Sequence, residues 1–305
     1  MKINQYGVLF QPSLIRNLKH SMSFNCHYTF GIGAQFTNAY WLYLSRQDSI
    51  ADQAPTLIHE AFHAWDPARM GLASDEDSDT IKWFSEGFVR YYGYLLALRA
   101  GLIAFPVYLD GVNRELQESR SSTSAYNRGR LIALWLDRQI RKDSGGKASL
   151  DTVMYDMVSG ASKPLTEARI LATAGRYLNP ISRIQLTQAV QPGSKIPEAP
   201  DALQPCASGS RDEIATFDLG FDLDASTVAH TVTGVVPDGP AFRAGLRNGQ
   251  QLNGRLSVYY NQPDRLAIVT VKIGETRKAV QYYPQGKPVR LLQYHYFGGN
   301  CSFGW

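Results

Sequence analysis

The chain of 305 residues is long enough for two domains of ordinary size, each with its own core. Its composition, 44% hydrophobic and 19% charged, is that of an ordinary globular protein. The net charge is +4 with the basic residues scattered along the chain, which excludes an electrostatic footprint for nucleic acid.

The opening stretch "MKINQYGVLF" has no continuous apolar core of the kind a signal peptide needs. The most apolar later stretch, "YYGYLLALRAGLIAF", is interrupted by Arg99 and Gly101. The expectation is therefore no membrane span, with periplasm and cytoplasm both open. Cys26, Cys206 and Cys301 are far apart and odd in number, so they form neither a disulfide framework nor a metal knuckle, and at most one pair can bridge.

Residues from about 4 to 45 read as a small sheet: short, aromatic, β-leaning runs punctuated by Gly31 and Gly33. From Asp52 the period becomes helical. A first helix is predicted to about Trp65, then a loop "PARMGLASDEDSDT", a second helix over about Thr80 to Arg99 and a third over about Ala125 to Arg141. Weaker helical signals follow at "SLDTVMYDMV", "LTEARILATAGRYL" and "SRIQLTQAV". The Pro-, Gly- and Ser-rich stretch "QPGSKIPEAPDALQPCASGS" reads as a linker or a wrapped connection, with a boundary near residue 210. Strand-like runs "AHTVTGVV", "AIVTVKI" and "KAVQYY" and one short helical piece, "AFRAGL", complete the second part.

The chemistry concentrates in "LIHEAFHAWD". Positions i and i+4 of a helix share a face, so His59 and His63 can present two imidazoles to one point, as a zinc ion requires. Glu60 is rotated by about 100° from His59 and can reach a water without being a ligand. This is the H-E-x-x-H pattern of metallopeptidases. The flanking apolar residues bury the helix, which makes these polar groups costly unless they are paired. Glu86, in the apolar and aromatic setting "IKWFSEGFVRYY", is the candidate third ligand, because a cation would offset the burial of its carboxylate. The neighbouring Trp83, Phe84, Phe88, Tyr91 and Tyr92 read as core and pocket wall. His20, His27, His230 and His295 have no partner at metal spacing.

"HEAFHAW", "WFSEGF" followed by "YY", and "AYNRGRLIALWLDRQIRKDSGGKASLDTVM" together resemble the glycyl aminopeptidase family of gluzincin zinc peptidases, over roughly residues 50 to 160. The resemblance implies one Zn²⁺ per chain held by His59, His63 and Glu86, with Glu60 as general base. Tyr126 would donate a hydrogen bond to the oxyanion, and the substrate is a peptide. It also implies an α+β, thermolysin-like fold: a β-rich leading part over 1–50 and a mainly helical catalytic domain with its linker over 51–210. Asp66 and Arg90 could orient a ligand or pair at the surface. Relatives carry a glycine-rich strand whose glutamate pairs with the substrate's α-amino group. Here the matching stretch is "GIGAQFTNA", with Gly33 and Gln35, and a neutral amide at Gln35 supplies no opposite charge. Only about 50 residues precede the zinc helix, so the sequence reads as a short member or as a piece of a longer chain.

"FDLGFDLD" followed by "VTGVVPDGPAFRAGLRNGQQL" resembles a PDZ domain, placed over 211–297 with a tail at 298–305. That resemblance implies capture of peptide C-termini by the backbone at Leu219, Gly220 and Phe221. The segment "NQPDRL" is too short for the helix that would wall the groove. Two functions are weighed: a zinc peptidase, which includes an aminopeptidase for small N-terminal residues, and a catalytically silent peptide-binding adaptor. A purely structural zinc site is disfavoured, since such sites close with four protein ligands.

Overall fold

The structure, a computed structural model, describes residues 32–36, 39–43, 50–71, 73, 75–119, 124–159 and 164–299. The expected strands before residue 32, together with His20, Cys26, His27, Cys301 and the end of the tail, lie outside the described residues. The chain divides into two compact units. Within the described residues one comprises 32–211 and 292–299, and the other 212–291.

The first unit opens with a hairpin, β1 (Ile32–Phe36) against β2 (Ala39–Tyr43), in antiparallel register with Phe36 opposite Ala39. Helix α1 (Ile50–Met70) follows and continues beyond the expected end at Trp65. The expected loop after it contains a short helix, α2 (Asp75–Thr80). The single helix expected over 80–99 is two: α3 (Lys82–Ser85) and α4 (Gly87–Arg99), joined at Glu86.

Helix α5 (Phe105–Glu118) has no counterpart in the sequence reading. Pro106 and Gly111 look like punctuation in the sequence. In the fold the proline occupies the first turn, where its missing N–H costs nothing. Gly111 lies against the Arg130 guanidinium and the Tyr94 ring. The buried positions Phe105, Tyr108, Leu109, Val112 and Glu115 mark one helical face.

Helix α6 (Ala125–Asp143) runs through the core and agrees with expectation to within two residues. The three weaker signals are α7 (Leu150–Ser159), α8 (Glu167–Gly175) and α9 (Pro180–Ala189). Asp137 on α6 holds the start of α7: its Oδ1 accepts from the Leu150 N–H at 2.7 Å and its Oδ2 from Arg141 at 2.9 Å. Arg169 on α8 donates to the Met70 carbonyl at 2.8 Å and the Met157 carbonyl at 2.6 Å, tying the end of α1 to the end of α7.

The Pro- and Gly-rich stretch after α9 is wrapped onto this unit, with Ala199, Ala202, Leu203 and Cys206 buried in its core. Cys206 is disulfide-bonded, and its partner lies outside the described residues. Strand β3 (Ala207–Phe217) leads out of the first unit, and β7 (Gln285–Tyr296), its partner in a two-stranded sheet, leads back. Residues of the returning end belong to the helical unit: Tyr294 exchanges hydrogen bonds with Asn113 and donates its hydroxyl to the Ala199 carbonyl at 2.6 Å.

The second unit has its own core, which includes Phe221, Val232, Leu246, Val269, Val271 and Val280. It contains α10 (Leu223–Ala229), α11 (Pro240–Arg243) and an antiparallel sheet β4–β5–β6 (Leu252–Ser257, Ala267–Ile273, Thr276–Tyr282). The strand expected at "AHTVTGVV" is instead a segment with two isolated bridges, Asp222 to Thr233 and Thr231 to Gln251. Helix α10, capped by the Asp222 carboxylate on the Ala225 N–H, was not foreseen. No helix lies between β4 and β5. No helix of the described residues is long and apolar enough to cross a membrane.

Candidate metal centre

His59 and His63 project from successive turns of α1, with ring centroids 4.6 Å apart. Their Nε2 atoms are 3.1 Å from each other. The Glu86 Oε2 lies 3.1 Å from His63 Nε2 and 3.6 Å from His59 Nε2. The three potential ligand atoms fall within 4.8 Å of one another, and no other such group occurs among the described residues.

Burial opposes charge on Glu86, but hydrogen bonds to His59 and His63 outweigh it and hold its carboxyl down at about 2. The donor set is thus two imidazole nitrogens from α1 and one anionic oxygen from the α3–α4 junction. It suits a divalent cation of the zinc type, with a position left open.

Glu60 lies beside this cluster and is buried, at 7% exposure. Burial raises its carboxyl pKa, the two histidines oppose that shift, and the nearby Glu86 charge reinforces it. Tyr126, in the first turn of α6, is 41% exposed and its ring is stacked on that of His59 at 6.2 Å and 20°. Burial, the Glu86 charge and a hydrogen bond to Glu86 push its hydroxyl up to about 12, so it carries its proton at neutral pH.

Glycines bring these groups together. A Cβ on Gly129 would lie 1.9 Å from the Trp83 carbonyl oxygen and 2.6 Å from the Gly87 Cα, and one on Gly87 would lie 2.2 Å from the Gly129 Cα. Helix α6 therefore crosses the α3–α4 junction backbone on backbone, next to Glu86 in one element and three residues after Tyr126 in the other. Gly93 makes a similar approach on the other side of α4, where a Cβ would lie 2.7 Å from the Pro55 carbonyl on α1. Helix α4, which starts just after Glu86, is thus pinned to both the helix of the histidines and that of the tyrosine.

Trp83, Phe84, Phe88, Tyr91 and Tyr92 are buried core residues, and Phe62 stacks on Tyr92 at 5.4 Å. Arg90 does not pair at the surface. It lies one turn after Glu86, and its Nε donates to Glu115 Oε1 at 2.5 Å. Glu115, at 2% exposure, also ion-pairs at 3.0 Å with Arg130, at 1% exposure, whose guanidinium stacks 3.9 Å from the Tyr94 ring. Sequence reasoning missed this cluster because Glu115 lies on the helix it did not find.

Gly33 and Gln35 fall in β1, opposite Leu42 and Tyr40. The side chains of Gln35 and Asp66 lie outside the described residues. In the second unit Leu219 and Phe221 are buried. The Gly220 N–H donates to Asp218 Oδ1 at 2.8 Å, and the Leu219 carbonyl accepts from the Tyr282 hydroxyl at 2.7 Å.

Residues 52–132 match the family model of the M61 glycyl aminopeptidases, a span that includes both histidines, Glu60, Glu86 and Tyr126. Over these residues the expected family resemblance is borne out. A crystal structure of an aminopeptidase N family protein from Idiomarina loihiensis is similar at a TM-score of 0.52 and 17% identity, over 87% of this chain. That likeness is one of fold: mixed helix and sheet, as the sequence predicts. The chain spans 58% of the length of that protein. No curated protein matches it.

Proposed function

We propose that the chain is a zinc-dependent peptidase of thermolysin-like fold, with His59, His63 and Glu86 as the ligands of a single Zn²⁺. The observation that carries this reading is the convergence of two imidazoles and an ionised carboxylate beside a buried carboxylate that is not one of the three. A zinc ion there would supply Lewis acidity toward the peptide carbonyl and its attacking water.

The side chains then have defined tasks. Glu60 accepts the proton of the attacking water and returns it to the leaving amine, and its raised pKa suits both transfers. Tyr126, protonated at neutral pH, donates a hydrogen bond to the oxygen on which negative charge develops. Glu86 stays ionised, as an anionic ligand must.

Gln35 offers no charge to a free α-ammonium, so a preference for N-terminal residues has no electrostatic support at that position. For the second unit we retain a PDZ-like architecture without capture of peptide C-termini at Leu219–Phe221. The Gly220 N–H is already committed to Asp218, and that carboxylate would repel an incoming one.

The metal assignment is tested by zinc titration of the wild type and of Glu86→Gln. One zinc per wild-type chain, with affinity at least about tenfold weaker in the variant, is the expected result. Equal affinity would remove Glu86 from the ligand set, and no stoichiometric zinc would remove the centre.

A further inference from the structure

Arg90 lies one helical turn beyond Glu86. Its backbone N–H donates to the Glu86 carbonyl at 2.9 Å, so its side chain starts one turn beyond the third ligand, on the same side of α4. Its charge acts on the Tyr126 hydroxyl, opposing the effect of Glu86 there. The side chain is largely enclosed yet remains 25% exposed.

Its hydrogen bonding is lopsided. Nε alone is committed, to Glu115 at 2.5 Å, and among the described residues neither Nη donates to a protein acceptor. Glu118, the other acid whose charge is felt by Arg90, accepts its hydrogen bond from Asn127 at 2.9 Å instead. A guanidinium anchored through Nε keeps its two outer N–H groups parallel, which is the geometry that grips a carboxylate bidentately. Glu115 is itself held by the buried Arg130, so the anchor is rigid.

We propose that Arg90 is a specificity-determining residue that binds the free α-carboxylate of a short peptide, making the site selective for peptides that end close to the scissile bond. The inference rests on the peptidase reading above, because only that reading puts the peptide carbonyl next to Tyr126. It differs from capture at an arginine cluster on an open surface: a single fork, fixed from behind, ranks peptides by the distance from the cleaved bond to the chain end. Longer chains, and peptides with a blocked C-terminus, would leave the fork without its charge partner.

The test uses binding rather than turnover. Zinc-loaded Glu60→Gln protein, which keeps all three ligands and Arg90, is titrated calorimetrically with di- and tripeptides as free acids and as C-terminal amides of the same sequence. The free acid is expected to bind at least about tenfold more tightly than the amide for one of the two lengths, the worth of one charge-assisted pair. Adding Arg90→Met should bring acid and amide to equal affinity, and Arg90→Lys should keep part of the difference. Glu115 retains Arg130 in both variants, so its charge is not left alone. Equal affinity of acid and amide in the Glu60→Gln protein, no measurable binding of either, or a preference that survives Arg90→Met would each overturn the proposal. If acids are preferred in binding but wild-type protein with zinc hydrolyses neither form, the peptidase reading fails, and with it the selection by distance from a cleaved bond, while carboxylate binding by Arg90 stands.

Discussion

Replacing Gly129 with alanine probes the device that brings Tyr126 to Glu86. The new Cβ would sit 1.9 Å from the Trp83 carbonyl oxygen, a backbone atom that cannot rotate away, so α6 and the α3–α4 junction must part by about 1 Å or more to restore ordinary contact. Overpacking of this kind costs about 1–3 kcal/mol. Alanine's better helix propensity returns at most about 1 kcal/mol. We expect a net loss of about 1–2 kcal/mol, seen as a melting temperature lower by roughly 2–8 °C. Because the shift separates Tyr126 from Glu86, hydrolysis should fall further than stability does, by up to roughly a hundredfold. The matched control is Gly175→Ala at the end of α8, where a Cβ would meet nothing closer than the Arg183 side chain at 3.8 Å; it should be neutral or stabilising by up to about 1 kcal/mol. Thermal melts of both variants decide the matter: a Gly129→Ala protein as stable and as active as the Gly175→Ala protein would refute the close crossing.

Three further outcomes follow from the same structure. Glu115→Ala removes the acid between Arg90 and the 1% exposed Arg130, so urea unfolding should show a loss of about 3–5 kcal/mol. Asp110→Ala, which breaks only the exposed pair with Arg114, should cost less than about 0.5 kcal/mol. Alkaline titration should destabilise the fold from about pH 10 upward. Burial raises Tyr91 and Tyr92 well above the usual tyrosine range and pushes Tyr108 up to about 12. Unfolded tyrosines ionise first, so the unfolded chain binds fewer protons and stability falls as pH rises, by about 1.4 kcal/mol per tyrosine at pH 11. A denaturation midpoint unchanged between pH 9 and 11 would contradict this.

The metal cluster was legible because its chemistry is local: His59, Glu60 and His63 are set by helical spacing, and Glu86 stood out as an acid among aromatic residues. The convergence of Tyr126 with Glu86 could not be read directly, because it depends on Gly87 meeting Gly129, a contact between residues far apart in the chain. Helix α5 has no counterpart in the sequence reading, although a proline in the first turn and a glycine against a guanidinium are both compatible with a helix. With α5 went Glu115, so the buried partner of Arg90 was not among the alternatives of orienting a ligand or pairing at the surface. In the second unit, "AIVTVKI" became β5 over the same residues, since both neighbours pair with it. "AHTVTGVV" alternates in the same way but makes only isolated bridges. Alternation reports which face is buried and does not report whether a partner strand is present.

The central claim is that Glu60 is a proton carrier beside a zinc site and not one of its ligands. Zinc content and peptide hydrolysis measured together on wild type and Glu60→Gln test it most directly. The account predicts one zinc per chain in both proteins and hydrolysis in the wild type alone, lowered by at least about a hundredfold in the variant. Hydrolysis that survives in Glu60→Gln, or zinc lost along with it, would contradict the assignment.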